Sequence, residues 1–149
     1  MKLGEQYLRQ DPQLHTLLLR CRFRMTGKPD KLHPGQMAIL VVLAEKGCCN
    51  QRTLMKELNN SASSVATSVK RLEKSGYVKK EVDPEDLRST RIGLTAAGKE
   101  LAEESMTCMK TLGDVQLSGF SEEELKQLVE FQNRMMANLS RFLEQSKGE

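Results

Sequence analysis

The sequence predicts a mainly α-helical fold with one two-stranded β-wing, flanked by N- and C-terminal helices of dimerisation type. Three observations predict it. Between Pro34 and Leu72, three helical segments are separated only by short polar connections. From Ser61 to Gly98 an amphipathic segment, a charged turn-rich hairpin and a new helix start follow without a spacer. Beyond Ser121 the apolar residues recur at three- and four-residue steps almost to the end. Helix, tight turn, helix and hairpin, in that order, describe a winged helix-turn-helix, in which the second helix of the pair enters a major groove.

A length of 149 residues suits one domain, or a DNA-reading lobe that shares its core with a dimerisation lobe. No run of about 18 apolar residues exists, so no membrane span is expected. The N-terminus lacks a signal-type apolar core, so the chain is expected to stay in the cytoplasm. The net charge of +3 is unevenly spread. Residues 1–95 hold 17 basic and 10 acidic side chains (+7), and residues 96–149 hold 6 and 10 (−4). A basic front half favours a polyanionic partner.

The first 11 residues show little pattern and are expected to be partly helical or frayed. From Pro12 to about Gly27, Leu14, Leu17, Leu18, Cys21 and Met25 share a helical face, and Gly27-Lys28-Pro29-Asp30 breaks it. Pro34 suits the first turn of the next helix, which runs to Lys46 with Met37, Leu40, Val41 and Ala44 as its core face. Asn50 is placed to cap a short helix over 51–58, buried through Leu54, Met55 and Leu58. After Asn59-Asn60, Ser61 or Ser63 starts the next helix, which Gly76 stops.

That helix separates its faces cleanly. At about 100° per residue Val65, Val69 and Leu72 form one stripe, and Ser63, Thr67, Lys70, Arg71 and Lys74 lie opposite. Small hydroxyl residues come first and cations later. Such an order lets the N-terminal end approach base edges while Lys and Arg reach phosphates. An ordinary solvated helix has the same composition, so the helix alone leaves both readings open.

Tyr77–Val82 and Thr90–Leu94 read as the wing strands around the turn cluster Asp83-Pro84-Glu85-Asp86. Thr95 caps a helix over 96–117 with Leu101, Met106, Met109, Leu112 and Val115 as its stripe. Ser121 and Glu124 form a capping box for the final helix, whose apolar face is too long for so small a lobe to cover. A second copy of the chain would cover it.

Other chemistry is thinly represented. Cys21, Cys48, Cys49 and Cys108 are dispersed apart from one adjacent pair, so a disulfide framework is not expected. His15 and His33 are the only histidines, and no metal-ligand spacing occurs. No phosphate-binding glycine loop or nucleophile–base arrangement stands out. The expectation is a non-enzyme with no metal and no cofactor.

With these residues in hand, the chain resembles the MarR family of bacterial transcriptional regulators. The likeness lies in Ser61–Leu72, in Glu73-Lys74-Ser75-Gly76-Tyr77-Val78, in Asp83-Pro84-Glu85-Asp86-Leu87-Arg88 and in Leu94-Thr95-Ala96-Ala97-Gly98. The resemblance implies a DNA-binding lobe over 34–98, an N-terminal dimerisation helix and loop over 1–33, and C-terminal dimerisation helices over 99–149. It implies a homodimeric regulator, a repressor, that reads an inverted repeat of double-stranded DNA. Its contacts would be Ser61, Ser63, Ser64, Thr67, Lys70, Arg71, Lys74, Arg88 and Arg91. Asp86 would support the wing by an ion pair to Arg88, which reaches the minor groove.

The resemblance further implies release by a small aromatic or phenolic ligand. The cleft that would hold it maps onto His15, Leu19, Arg22, Phe23, Met37 and Leu40, with a packed core as the opposing reading. Two alternatives of the same fold stay open: a module that binds a protein partner, and a redox sensor built on Cys48 and Cys49.

Overall fold

The apolar stripe of Val65, Val69 and Leu72 is the centre about which the helix-turn-helix lobe packs, each residue fully buried. This computed structural model describes residues 3–27 and 30–146. In chain order the elements are α1 (Leu3–Thr26), α2 (Pro34–Lys46), α3 (Gln51–Leu58), α4 (Ala62–Lys74), β1 (Val78–Val82), β2 (Thr90–Leu94), α5 (Ala96–Gln116) and α6 (Glu122–Gln145). Two compact units, Met1–Leu112 and Gly113–Glu149, divide the chain inside α5.

In the first unit the α4 stripe shares one core with Ile39, Leu40 and Leu43 of α2, Leu54 of α3, Val78 and Ile92 of the wing strands, and Leu101 and Ala102 of α5. Burying a Val, Leu or Ile side chain stabilises by roughly 1.5–3 kcal/mol, so this cluster fixes α4 against its supports. The wing strands pair antiparallel, Val78 opposite Leu94 and Val82 opposite Thr90. Val78 faces the core, and the rest of β1 is exposed.

The helix starts follow their capping chemistry. Asn50 Oδ1 accepts the Thr53 N–H at 2.9 Å, and Ser61 Oγ accepts the Ser64 N–H at 3.2 Å. Ser61 rather than Ser63 is therefore the cap of α4. Ser121 and Glu124 close their capping box, with the Ser121 N–H on Glu124 Oε2 at 2.7 Å. That backbone bond holds the Glu124 carboxyl below the usual carboxylate range. The cap is complete above the ordinary carboxylate pKa and is lost as pH falls through the lowered one.

Several elements differ from the expectation. Helix α1 begins at Leu3 and continues through Pro12, so the proline removes one ladder bond without ending the helix. Lys28 and Pro29, part of the expected breaker, lie outside the described residues. On α2 the buried set is Met37, Ile39, Leu40 and Leu43, while Val41 is half-buried and Ala44 exposed. The run from Met37 to Ala44 is apolar throughout, so periodicity could not select a face.

On α5 the buried stripe is Gly98, Leu101, Ala102, Ser105, Cys108 and Leu112. Met109 and Val115 are exposed instead. The buried face thus combines Leu101 and Leu112 with small residues, and bulk alone does not mark it. No residue of α1 or α6 is buried.

Candidate nucleic-acid interface

Helix α4 presents its polar side because its apolar side is fully committed. Ser63, Ser64, Thr67, Lys70, Arg71 and Lys74 are all exposed, opposite the buried stripe. At the start of the helix, the Ser61 N–H donates to Asn60 Oδ1 at 2.9 Å, and Gln51 Nε2 of α3 donates to the Ala62 carbonyl at 3.1 Å. The α3–α4 corner is thus tied at the end that carries the hydroxyl residues. Ser61 itself is half-buried, its Oγ occupied in the cap and 3.3 Å from Ser63 Oγ. Lys70, Arg71 and Lys74 have no acidic partner among the described residues.

The wing tip is closed by local hydrogen bonds. The Glu85 N–H donates to Asp83 Oδ1 at 2.9 Å, and the Arg88 N–H donates to Asp86 Oδ1 at 3.0 Å. Ser89 donates to the Asp86 carbonyl at 2.8 Å, and Asp83 donates to the Ser89 carbonyl at 2.9 Å. Asp86 therefore supports the wing through the Arg88 backbone and not by the side-chain ion pair expected from the sequence. A short carboxylate two residues before an N–H closes readily on it.

Most wing cations are matched by acids. Lys79 pairs with Glu81 at 2.8 Å, Lys80 with Glu73 at 3.6 Å, and Arg91 lies 4.0 Å from Asp83. Arg91 also donates to the Cys48 carbonyl at 3.4 Å, so its guanidinium sits across the base of the wing. Arg88 stands apart, exposed and without an acidic partner among the described residues. Arg88→Ala is expected to weaken duplex binding at least several-fold with the fold intact. Fluorescence anisotropy at moderate salt, beside a thermal melt, checks this.

The adjacent cysteines are separated by strand geometry. Cys49 exchanges two backbone hydrogen bonds with Ile92, at 3.0 and 2.8 Å, adding a third short stretch to the wing sheet. Neighbouring residues of an extended chain point to opposite faces. Cys49 accordingly packs against the core, and burial pushes its thiol up from the usual value. Cys48 is exposed and lies over Gly93, where an added Cβ would meet its Sγ at 2.5 Å. A raised thiol pKa disfavours the thiolate, the nucleophilic form, at Cys49.

Of the expected ligand cleft, the structure brings together Arg22 and Met37. They line a small cavity of about 30 Å³ with Thr26, Leu101, Ser105 and Cys108. Arg22 Nη2 binds Asp30 Oδ1 at 3.0 Å, while its buried Nε has no partner. Leu40 is sealed in the core. Leu19 and Phe23 line a separate open hollow on α1, and His15 lines neither. Asp30 was not singled out from the sequence; it sits in the loop after α1, where spacing carries no signal.

Comparison with known proteins agrees with this geometry. The MarR family profile matches residues 32–90, the stretch from the start of α2 to the wing. The chain is 32% identical to the uncharacterised HTH-type transcriptional regulator YcgE of Bacillus subtilis over 78% of this chain and 75% of that one. It is 30% identical to YdgJ of the same organism, another uncharacterised HTH-type transcriptional regulator, over 71% of this chain; the match spans 65% of YdgJ, just under two thirds of its length.

Among solved structures, the PcaV transcriptional regulator of Streptomyces coelicolor, determined in complex with its natural ligand, superposes with a TM-score of 0.73 at 22% identity. The match covers 92% of this chain and 96% of that one. At that identity the likeness is one of fold. The relatives are regulators, not enzymes. With a hydroxyl-lined recognition helix, an adjoining wing and these relatives, the chain belongs to the MarR family of winged helix-turn-helix transcriptional regulators.

Proposed function

We propose that the protein is a homodimeric repressor that binds an inverted-repeat operator and is released by a small-molecule effector. The observation that carries this reading is the exposed face of α4, where hydroxyl residues lead and unpaired cations follow. Ser63, Ser64 and Thr67 are short enough to meet base edges; Lys70, Arg71 and Lys74 reach phosphates. Residues 34–98 form the reading lobe, with 1–33 and 99–149 supplying the dimer helices. In a single chain α6 leaves Val129, Met136, Leu139, Phe142 and Leu143 exposed, more apolar surface than a monomer keeps. A twofold dimer would cover it and space two copies of α4 about one helical turn apart.

The division of labour on α4 is testable. Thr67→Ala should relax preference at one base position, at a cost on the order of 1–3 kcal/mol. Lys74→Ala should lower affinity for every sequence and flatten the salt slope by about one unit per protomer, about two for the dimer. Binding to a panel of single-base operator variants separates them, and equal changes in preference for both would refute the division. A duplex affinity that ignores salt would instead favour a protein partner for this face.

For the effector, support comes from the Arg22 cavity and from PcaV, a protein of this fold solved with its natural ligand. The cavity has about the volume of one water molecule, so an aromatic anion has to open it. Its carboxylate would replace Asp30 on Arg22 and meet the unpaired Nε. Only a ligand that favours the opened form shifts DNA affinity. Aromatic carboxylates titrated into the protein–operator complex should release DNA from wild type and much less from Arg22→Ala.

A further inference from the structure

A groove of about 380 Å³ runs between the N-terminus of α2 and the exposed side of α4. His33 and Gly35 at the start of α2, Asn60 of the α3–α4 turn, and Ser64, Thr67 and Arg71 of α4 line it. Every α4 side chain that lines it carries a hydrogen-bonding group, and no carboxylate does. Lys70 and Lys74 lie outside it, so the cations of α4 serve two different sides of the helix.

His33 has two tasks there. Its Nδ1 accepts the Gly35 N–H at 3.2 Å, and its backbone N–H donates to Gln36 Oε1 at 3.1 Å, which closes a capping box on α2. A ring nitrogen that accepts carries no proton, so the neutral ring bears its proton on Nε2. The cap thus fixes both tautomer and ring orientation. Serine or asparagine would cap equally well and stop there. Imidazole keeps a second nitrogen, and His33 and Arg71 both line the groove.

We propose that this groove seats one sugar–phosphate strand beside the major groove, with His33 Nε2–H and the Arg71 guanidinium donating to phosphate oxygens. The proposal rests on the DNA-binding reading above and adds to it a neutral donor. A neutral donor displaces no counterion, whereas a cation does. The two residues should therefore leave different signatures.

His33→Ser retains a cap acceptor and removes the ring donor. Its operator affinity should fall several-fold with the salt slope and melting temperature unchanged, while Arg71→Ala should flatten the slope by about one unit per protomer, about two for the dimer. Methylphosphonates placed one at a time along the operator then locate the contact. At one position the modification should weaken wild type and leave His33→Ser unaffected. The proposal is overturned if His33→Ser binds as tightly as wild type. It is equally overturned if no single phosphate position abolishes the difference between the two proteins. Failure of wild type to bind duplex in a salt-dependent manner is a separate outcome, and it overturns the DNA-binding reading itself.

Discussion

Gly98→Ala is expected to lower stability by about 3–5 kcal/mol. A Cβ at this position falls inside the van der Waals surface of the Tyr77 carbonyl oxygen and 2.8 Å from its carbon. The obstacle is backbone, and it is held. The Tyr77 carbonyl accepts the Thr95 N–H at 3.1 Å, and the Tyr77 N–H donates to the Leu72 carbonyl at 3.0 Å. The Thr95 hydroxyl donates to the Gly76 carbonyl at 2.6 Å and accepts the Gly98 N–H at 3.1 Å.

Relief of the clash has to move the start of β1 away from α5 and break some of these bonds. Overpacking costs typically 1–3 kcal/mol and each lost bond about 0.5–1.5 more. At roughly 2–4 °C per kcal/mol the melting temperature should drop by at least about 6 °C. Gly113→Ala is the control: it lies in the same helix with nothing within 4 Å of its Cβ. That change should stabilise by about 0.5–1 kcal/mol. Equal melting temperatures for the two variants would show that the α5–β1 approach is looser than described.

The second large effect belongs to the α4 cations. Lys70, Arg71 and Lys74 are exposed and lack acidic partners among the described residues, so each is available to one phosphate. Neutralising all three in both protomers of a dimer removes about six phosphate contacts. At about 0.9 per contact, log K against log salt should flatten by about five. The same relation puts the affinity loss at 0.1 M salt on the order of 10⁵-fold. A slope change near three would mean that only one protomer engages the duplex. No change would mean that α4 does not face DNA. Circular dichroism should stay as in wild type, because none of the three side chains is buried.

The parts of this fold legible in the sequence are those where one local rule sufficed. Val65, Val69 and Leu72 repeat at helical spacing between polar residues, and they are buried as the pattern requires. Ser121 and Glu124 stand three apart before an apolar run, and their capping box forms. The wing turn is densely written in Asp83, Pro84 and Asp86, and the second strand has the expected bounds.

What escaped depends on contacts distant in sequence. The face of α5 includes Ser105 and Cys108 and not the larger Met109, so side-chain size alone does not reveal it. The Cys49–Ile92 bridge joins residues 43 positions apart, and nothing in Cys48-Cys49-Asn50 signals a strand. The site was legible by class and not by assignment. The α4 residues lie on the exposed face as read, yet Asp86 serves the Arg88 backbone, and Arg91 spans Asp83 and the Cys48 carbonyl. Of the six expected cleft residues, Arg22 and Met37 share a cavity, because α1 directs Leu19 and Phe23 to a different side.

Nuclease footprinting of the DNA flanking the protein's own coding region tests the central claim most directly. Two protected half-sites, related by a twofold axis and centred about 10–10.5 base pairs apart, are the predicted result for a dimer that inserts α4 twice. Protection should weaken evenly across both half-sites as salt is raised. A single asymmetric footprint would contradict the dimeric reading, and the absence of any protection at low salt would contradict DNA recognition by α4.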